Sequence, residues 1–308
     1  MRVFHDILDF SGCENPVLTL GMFDGIHLGH QGIIQNLNNI AEEVKGESIL
    51  LTFEPHPRVV LGKNTDDLQL LTTLDEKVEL LKNLGLQNLI LHPFTKVFSE
   101  LSSEEFVKNL LIEKIGIHTL IIGYNHHFGK NREGNFEQLK QLSEEYGFNL
   151  KQIEEVKSHD NSISSTDIRF ALNNSDLDFV SKGLGRNYRL SGKVVHGDKL
   201  GRTLGFPTAN LEVEKYKLIP ENGVYIVKVH FQNKIHKGLL SIGTRPTVTN
   251  SNEKRVEVYI LDFEQDIYDE IISIEILKKI RDDKKFNSVD ELVQQMERDK
   301  KELLTQFS

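Results

Sequence analysis

The first half of the chain alternates short apolar runs with segments whose apolar residues recur at helical spacing. In the first such segment Ile33, Leu37, Ile40 or Ala41, and Val44 fall at helix-like intervals, which predicts an amphipathic helix. Short apolar runs bounded by turn residues predict buried strands. They occur at 16–20, 48–53, 88–94, 118–123 and 149–154. Strands that alternate with helices predict a parallel, doubly wound α/β sheet.

The second half of the chain has a different pattern. From 188 to 277 there is almost no helical periodicity, and β-rich runs alternate with turn signals such as ENG at 221–223. Short strands at this spacing predict an all-β barrel or sandwich. An amphipathic segment at 288–304 predicts a final helix. The change of pattern falls near Gly185, so we expect two domains, 1–185 and 186–308.

Capping sequences, glycines and prolines refine the predicted helix boundaries in the first half of the chain. The strings TLDE at 73–76 and SSEE at 102–105 have the form of capping boxes and predict helix starts. The glycines Gly46, Gly85 and Gly116 predict where helices end. The two prolines of EPHPRVVLG, at 54–62, argue against a regular element there.

Composition limits the classes of function. A length of 308 residues fits two domains, and a net charge of −9 argues against broad nucleic-acid binding, which depends on clustered Lys and Arg. No apolar run approaches the roughly 20 residues of a membrane span, and the N-terminus lacks the apolar core of a signal peptide. With Cys13 as the single cysteine, no internal disulfide framework is possible. We therefore expect a cytoplasmic protein that binds neither nucleic acid nor membrane.

The stretch LGMFDGIHLGHQ, at 20–31, lies where the first strand turns into the first helix. Its three glycines, at 21, 25 and 29, would let a ligand approach the backbone, and a helix N-terminus favours phosphate. His27 and His30 are three residues apart and would share one helix face. A zinc site is a weaker alternative, because no third ligand lies nearby and Cys13 cannot complete a thiolate site. The pattern favours an anion or a transition state that gains negative charge.

Other polar residues follow the ends of predicted strands. His56 follows the second strand and Asn125 follows the fourth. The ligands of such sheets gather beyond the carboxyl ends of the strands, so these residues should converge with His27. The string ISSTDIR, at 163–169, places hydroxyls at a helix start with Arg169 one turn later, which by spacing alone also fits a simple cap.

The second informative stretch is HGDKLGRTLGFPTAN, at 196–210. Its glycines together with Lys199 and Arg202 form a basic loop able to surround phosphates, although the Walker A pattern is absent. Thr208 and Asn210 lie two apart, so on an extended backbone their side chains share a face. A hydroxyl and an amide oxygen could complete a Mg²⁺ shell beside nucleotide phosphates. By composition alone, a simple barrel-edge turn is the favoured interpretation.

The longer string G-x-F-D-G-x-H-x-G-H-Q resembles the ATP-binding signature of the HxGH nucleotidyltransferases, in the form of their FAD synthetase branch. The string I-S-S-T-x-I-R resembles the phosphate-clamping loop of the same family, whose arginine meets the triphosphate. This resemblance implies catalytic roles for His27 and His30 and flavin binding by Phe53, His56 and Pro57. It implies nucleotide binding by Gly21, Phe23, Asp24, Gly25, Gly29, Asn125, Ser164, Ser165, Thr166 and Arg169.

The string G-x-x-x-G-R-x-L-G-F-P-T-A-N resembles the signature of riboflavin kinases, whose fold is a six-stranded antiparallel barrel. The resemblance implies that Thr208 and Asn210 bind Mg²⁺ together with ATP, that Glu257 is the catalytic glutamate and that Arg281 contacts flavin. It implies nucleotide binding by Gly197, Lys199, Gly201, Arg202, Gly205 and Pro207.

In this order the two signatures resemble the bifunctional riboflavin kinase/FAD synthetases. That family would phosphorylate riboflavin with ATP to FMN, and then adenylylate FMN with ATP to FAD and pyrophosphate. Two alternatives stay open. A different nucleotidyltransferase would share the His27 stretch but has no reason to carry GFPTAN, and the β domain could be a non-catalytic flavin sensor.

Overall fold

The computed structural model describes residues 1–62, 65, 67–123, 128–130, 133–153, 157–158, 161–197, 201, 204–244 and 254–307. They form two compact units. The first unit comprises Met1–Leu68 and Leu74–Ser164, and the second comprises Gln69–Thr73 and Ser165–Ser308. Within the described part of the chain, no helix is long and apolar enough to cross a lipid bilayer.

A parallel six-stranded sheet forms the centre of the first unit, which confirms the predicted α/β class. Its order is β1-β4-β3-β2-β5-β6. The edge strand β1 lies in an N-terminal stretch for which the hydrophobic pattern predicts no strand. The strands are β1 (Arg2–Phe4), β2 (Val17–Leu20), β3 (Ser48–Glu54), β4 (Asn88–Pro93), β5 (Thr119–Gly123) and β6 (Asn149–Ile153).

Helices cover both faces of this sheet, as a doubly wound fold requires. One core cluster packs Ile34 and Leu37 of the first helix against Leu50 of β3, and the other packs Phe106 and Leu139 against the opposite face. The helices are α1 (Leu28–Glu43), α2 (Pro57–Val60), α3 (Leu74–Asn83), α4 (Lys96–Ser99), α5 (Ser103–Glu105) and α6 (Phe136–Tyr146), with a π-helix at Phe106–Ile115, a 3₁₀ turn at Ile7–Asp9 and a short hairpin of β7 (Lys157–Ser158) and β8 (Asn161–Ser162).

One expectation for the first unit is wrong. The prolines at 55 and 57 argue against a regular element, yet α2 forms a single helical turn. Pro57 occupies the first turn of that helix, where a missing backbone N–H costs nothing. The predicted capping box at 102–105 is present, and the helix that follows ends at Gly116 in the left-handed conformation.

The second unit contains a closed antiparallel barrel, which confirms the predicted β fold. Its order is β10-β13-β12-β11-β14-β9. Among the described residues of this unit, two helices precede the barrel and one follows it. The elements are α7 (Ser165–Asn173), α8 (Leu177–Leu184), β9 (Tyr188–Val195), β10 (Thr208–Val213), β11 (Gly223–Phe231), β12 (Lys234–Thr244), β13 (Lys254–Ile260), β14 (Ile271–Arg281) and α9 (Val289–Gln306).

The segment Gln69–Thr73, which we call the 69–73 segment, packs within this second unit although the chain on both sides of it belongs to the first. Leu70 exchanges backbone hydrogen bonds with Tyr216 and Leu218, at 2.6 and 2.7 Å. The buried Lys217 donates to the carbonyl of Leu71 at 2.6 Å. The barrel unit therefore includes a piece of chain that precedes it by many residues.

Alternation along the barrel strands separates two faces. Leu240 and Val258 are completely buried on one face. Their neighbours Leu239 and Tyr259 lie on the other face and pack with Leu303 of α9, and Met296 packs against the same cluster. The C-terminal helix α9 thus covers one outer side of the barrel. Thr208, Asn210 and Glu257 lie on this covered side.

Candidate active sites

The turn between β2 and α1, residues 21–30, is called the His27 turn below. His27 caps α1, since its Nδ1 accepts a hydrogen bond from the backbone N–H of His30 at 3.4 Å. A neutral His27 therefore carries its ring proton on Nε2. The rings of His27 and His30 stack at 3.8 Å, and Phe23 stacks on His30 at 4.5 Å. The predicted shared face of the two histidines is confirmed.

Close packing explains two glycines of the His27 turn. A Cβ on Gly29 would lie 3.0 Å from Cε1 of His27, and one on Gly21 would lie 3.2 Å from the ring of Phe23. The carbonyl of Ile163, just before the ISSTDIR hydroxyls, is also within 3.9 Å of that Gly29 position. Asp24 and Gly25, the remaining predicted nucleotide contacts of this turn, are buried within it.

Burial sets the charge state of this site. It lowers the pKa of His30 well below its ordinary value, and the nearby His27 and Lys77 act in the same direction. His30 is therefore neutral at physiological pH and can act on an anion by hydrogen bonding rather than by charge. Its Nδ1 is buried and has no hydrogen-bond partner among the residues that the structure describes.

The predicted flavin residues of the first unit lie at the end of strand β3, with Phe53 inside it and His56 and Pro57 just after it. Phe53 lies in an aromatic cluster with Phe94 and Phe98, at ring-centroid distances of 5.7 and 5.3 Å. His56 caps α2, since its Nδ1 accepts from the backbone N–H of Arg58 at 3.1 Å, and Pro57 begins that helix. An aromatic cluster at the carboxyl end of a strand suits a flat heteroaromatic ring.

The ISSTDIR residues begin a helix as predicted, because α7 starts at Ser165. Ser164 ends the first unit, while Ser165, Thr166 and Arg169 belong to the second. Arg169 donates from Nε to the carbonyl of Gln69 at 2.6 Å. Its contact with a triphosphate stays a prediction. Asn125, Lys199 and Arg202 lie outside the described residues.

The kinase signature residues meet in one cavity of about 240 Å³, called the Glu257 cavity below. Asn210 and Glu257 are backbone partners across β10 and β13, and Thr208 donates its hydroxyl to Oε2 of Glu257 at 3.2 Å. Arg255 forms an ion pair with Glu257 and donates from Nε to Oδ1 of Asn210 at 3.0 Å. The lining of this cavity combines polar side chains with the apolar residues Leu204, Phe206, Val224, Leu239, Tyr259, Leu292 and Met296.

The stretch 197–205, called the glycine loop below, has two glycines packed closely against the residues of β10. A Cβ on Gly197 would lie 2.1 Å from Nδ2 of Asn210, and one on Gly201 would lie 3.4 Å from Oγ1 of Thr208 and 2.3 Å from the carbonyl of Phe206. At Gly201 only glycine fits, because a side chain would meet backbone, whereas at Gly197 a side chain would displace the amide of Asn210. Gly205 lies in the turn just before β10. The loop is thus built to bring backbone close to whatever Thr208 and Asn210 bind.

The donor set fits a magnesium ion bound together with phosphates. Oγ1 of Thr208 and Oδ1 of Asn210 each keep a free lone pair after the hydrogen bonds above, and both are hard neutral oxygen ligands. Among the described residues no group of three His, Cys, Asp or Glu side chains could hold a metal by itself. A cation here would take its remaining ligands from phosphate and water.

Arg281 lines the same cavity and is fixed by Asp299 of α9. Its Nε and Nη2 donate to the carboxylate of Asp299 at 3.0 and 2.8 Å, and the Asp299 side chain is only 6% exposed. Gln295 donates to the same carboxylate at 2.8 Å. This pair ties the end of β14 to the covering helix.

A second, smaller cavity of about 70 Å³ adjoins the first. Thr208 lines both cavities. Pro207, Phe263 and Tyr268 line the second one, and the ring of Tyr268 lies 3.9 Å from that of His196. The space is small, its lining is mixed polar and apolar, and two aromatic side chains, Phe263 and Tyr268, contribute to it.

Sequence reasoning missed several residues of these sites. Lys77 and Gln31 bond to carbonyls of the His27 turn, Phe94 and Phe98 complete the aromatic cluster, and Arg255 and Asp299 hold the Glu257 cavity together. For Arg255 a signal existed, since it shares a strand face with Glu257 at a spacing of two. Lys77 gave none, because a lysine in a charged helical segment has the pattern of a surface residue.

Comparison with known proteins supports both halves. Residues 11–167 match the family model described as FAD synthetase, and residues 184–307 match the model described as riboflavin kinase. The bifunctional riboflavin kinase/FMN adenylyltransferase of Bacillus subtilis is 37% identical over 295 residues, which cover 95% of this chain and 92% of that protein. That of Buchnera aphidicola from Acyrthosiphon pisum is 38% identical over 301 residues, or 97% of this chain and 95% of that protein.

A solved structure from Streptococcus pneumoniae, described as a macrolide-efflux protein, is similar over 97% of both chains, with 32% identity and a TM-score of 0.86. The efflux role in this description belongs to that protein. What the match shows for the present chain is a shared two-unit architecture. From the family models and the curated relatives together it follows that this chain belongs to the bifunctional riboflavin kinase/FMN adenylyltransferase family, with the FAD synthetase part in the α/β half and the riboflavin kinase part in the barrel half.

Proposed function

We propose that the two activities of the family use two different sites of this chain: the Glu257 cavity phosphorylates riboflavin, and the His27 turn adenylylates FMN. Both reactions would take ATP with Mg²⁺. We place the boundary between the adenylyltransferase and kinase domains at 185/186. The cytoplasm is the proposed compartment, where ATP is supplied and the single Cys13 stays reduced. The observation that supports the kinase assignment is the convergence of Thr208, Asn210 and Glu257 on one face of one cavity.

In the kinase reaction the 5′-hydroxyl of the ribityl chain attacks the γ-phosphorus of ATP, and ADP leaves. Glu257 would orient this hydroxyl and accept its proton, the task that a carboxylate performs in many phosphoryl transfers. The apolar side chains of the lining, among them Leu239, Tyr259 and Met296, suit the flavin ring, while its polar side chains suit the ribityl hydroxyls.

The adjoining small cavity suits the adenine of ATP. Thr208 lines both spaces, so a nucleotide whose base lies between Pro207 and Tyr268 would direct its phosphates past Thr208 toward Glu257. Arg202 and Lys199 of the glycine loop are proposed to contact the phosphates. Thr208 and Asn210 would hold Mg²⁺, which neutralises charge on the phosphates when bound.

In the adenylylation reaction a phosphate oxygen of FMN attacks the α-phosphorus of ATP, and pyrophosphate leaves. This nucleophile is already an anion, so the site needs no general base and no covalent intermediate with the protein. It needs alignment and hydrogen-bond donors that stabilise developing charge. His27, His30 and the first backbone N–H groups of α1 supply such donors, and Phe53 with its aromatic neighbours would hold the flavin ring.

A double dissociation tests this assignment. Purified protein is given riboflavin or FMN with ATP and Mg²⁺, and FMN and FAD are separated by chromatography over time. The double variant His27→Ala, His30→Ala should lose about 10²–10³ or more in FAD formation per removed donor while riboflavin is still phosphorylated. Glu257→Ala should lose FMN formation and still convert added FMN to FAD.

The product that each variant accumulates from riboflavin distinguishes the possible outcomes of this experiment. From riboflavin, only the histidine variant should accumulate FMN, and mixing the two variants should restore FAD if FMN diffuses between molecules. Loss of both activities in one well-folded variant would contradict the two-site assignment. Absence of FMN formation in the wild-type protein would favour a flavin sensor instead of a kinase.

A further inference from the structure

Lys77 is a buried cation beside the His27 turn that the proposed chemistry does not use. It lies on α3 and is only 6% exposed. Its Nζ donates to the carbonyl of Met22 at 2.8 Å. The negative charges that face it belong to Asp24, in the turn itself, and Glu54, at the end of β3. A lysine is rarely buried without such partners, and the two carboxylates together with the Met22 carbonyl account for its burial.

The turn that Lys77 contacts has an unusual backbone. Phe23 and Ile26, neither of them glycine, lie in the left-handed region with φ of +46° and +42°. Bulky residues avoid this conformation unless surrounding contacts impose it. Side chains from three other elements supply such contacts. Lys77 and Thr52 both donate to the carbonyl of Met22, at 2.8 and 3.5 Å, and Gln31 donates to that of Ile26 at 2.9 Å.

The contact continues from the Met22 carbonyl to the two histidines. Met22 precedes Phe23, whose ring stacks on His30, and His30 stacks on His27. A shift of the Met22–Phe23 peptide would therefore move the ring that supports His30. Of the two donors to Met22, Lys77 makes the shorter hydrogen bond and carries the charge.

We propose that Lys77 is a positioning residue for adenylyl transfer, which fixes the left-handed Phe23 through the Met22 carbonyl and so holds His30 and His27 in their stacked arrangement. This inference rests on the proposed adenylylation site at the His27 turn. Misplacement of catalytic groups by about 1 Å can cost roughly 10²-fold in rate. The loss should appear in kcat rather than in KM, because the histidines act on the transition state.

The test replaces Lys77 by methionine, which keeps the length of the side chain and removes its charge and donors. Lys77→Met should lower kcat for FAD formation from FMN by about 10²-fold, with KM for ATP changed far less. Phosphorylation of riboflavin by the same polypeptide should be retained and reports that the barrel half is folded. Lys82→Met, at an exposed position of the same helix, is the matched control and should behave as wild type.

A double-mutant cycle distinguishes positioning from general loss of structure. If Lys77 acts through Phe23, then Phe23→Ala combined with Lys77→Met should be no slower than the slower single variant. Should Lys77→Met fail to fold, Thr52→Val removes the weaker donor to the same carbonyl and should lower kcat less but in the same direction.

The outcomes separate this inference from the assignment on which it rests. FAD formation that persists in His27→Ala, His30→Ala would overturn the adenylylation site itself. If that double variant is inactive while Lys77→Met keeps full kcat, only the positioning role of Lys77 is overturned. If the decreases in kcat caused by Lys77→Met and Phe23→Ala multiply in the double variant, the two residues act independently. That result would also overturn the positioning role of Lys77.

Discussion

Thr208 donates its hydroxyl to Oε2 of Glu257 at 3.2 Å, from one barrel strand to its neighbour. The proposed metal ligand and the proposed base are therefore held together before any substrate binds. The same strand pair places Asn210 directly opposite Glu257. A barrel closed by hydrogen bonds on every side keeps these three residues in a fixed relation, which is what phosphoryl transfer between two bound substrates requires.

The metal assignment predicts a selective change in magnesium dependence. Thr208→Val and Asn210→Ala should each raise the Mg²⁺ concentration needed for half-maximal riboflavin phosphorylation by about tenfold or more, because each removes one oxygen ligand. FMN adenylylation should keep its dependence on Mg²⁺. A Mg²⁺ titration of both reactions checks this. Equal losses in both would indicate misfolding or one shared metal site.

The Arg281–Asp299 pair predicts a large stability effect from a single carboxylate. Asp299→Ala leaves Arg281 partly buried without its partner, and breaking such a pair costs about 3 kcal/mol or more. Glu302→Ala on the same helix breaks an exposed pair with Lys278 and should cost less than about 1 kcal/mol. Urea unfolding followed by circular dichroism measures both. Similar costs for the two variants would contradict a stabilising role of the buried pair, and KM for riboflavin should rise only with Asp299→Ala.

The buried imidazole of His30 predicts an acid-dependent loss of stability. Its pKa lies well below the ordinary value of 6.5 in the folded protein, so the unfolded chain binds the proton more readily. Stability is then fully present above about pH 6.5 and falls as the pH decreases below it, by up to about 1.4 kcal/mol per pH unit. His92, whose pKa is also lowered by burial, acts with the same sign.

His30→Phe isolates that contribution, since phenylalanine keeps a ring for the stack and cannot take up a proton. Thermal unfolding midpoints of both proteins between pH 7.5 and 5 provide the measurement. The variant should lose less stability than the wild type over this interval. Parallel curves would show that His30 does not titrate on unfolding.

The proposed domain boundary predicts the behaviour of fragments. A fragment 187–308 should phosphorylate riboflavin, since every described residue of the Glu257 cavity lies within it. The longer fragment Ser165–Ser308 should be more stable, because α8 buries Val180 and Leu184, each worth roughly 1.5–3 kcal/mol. Thermal unfolding and FMN formation by both fragments check these expectations. A folded short fragment that binds riboflavin without forming FMN would place essential kinase residues elsewhere.

Local rules predicted the parts of the sites that lie close together in the chain. The spacing of His27 and His30 gave their shared face, and the spacing of Thr208 and Asn210 gave theirs. The apolar alternation gave both fold classes. These features depend on backbone periods of 3.6 and 2, which short stretches of sequence determine.

Parts of the sites that depend on distant contacts could not be predicted in this way. The partners of the buried Lys77 are Asp24, Glu54 and the Met22 carbonyl, which come from other parts of the chain. Strand β1 is three residues long and is defined by its pairing with β4 rather than by its own pattern. Local rules do not predict the helical turn at Pro57, because two prolines close together suggest an interruption. The first turn of a helix nevertheless tolerates proline.

The 69–73 segment has a consequence for the order of folding during synthesis. The carbonyl of Leu71 can accept its hydrogen bond from Lys217 only after the ribosome has added the 146 residues that separate the two. At ribosomal rates of about 5–20 residues per second, that delay is roughly 7–30 s. During this interval the α/β half can fold while the segment has no barrel to pair with. The barrel half is thus the part of the chain whose completion depends on both early and late translation. A ribosome that stalls after the α/β half leaves the 69–73 segment without its hydrogen-bond partners Tyr216, Lys217 and Leu218.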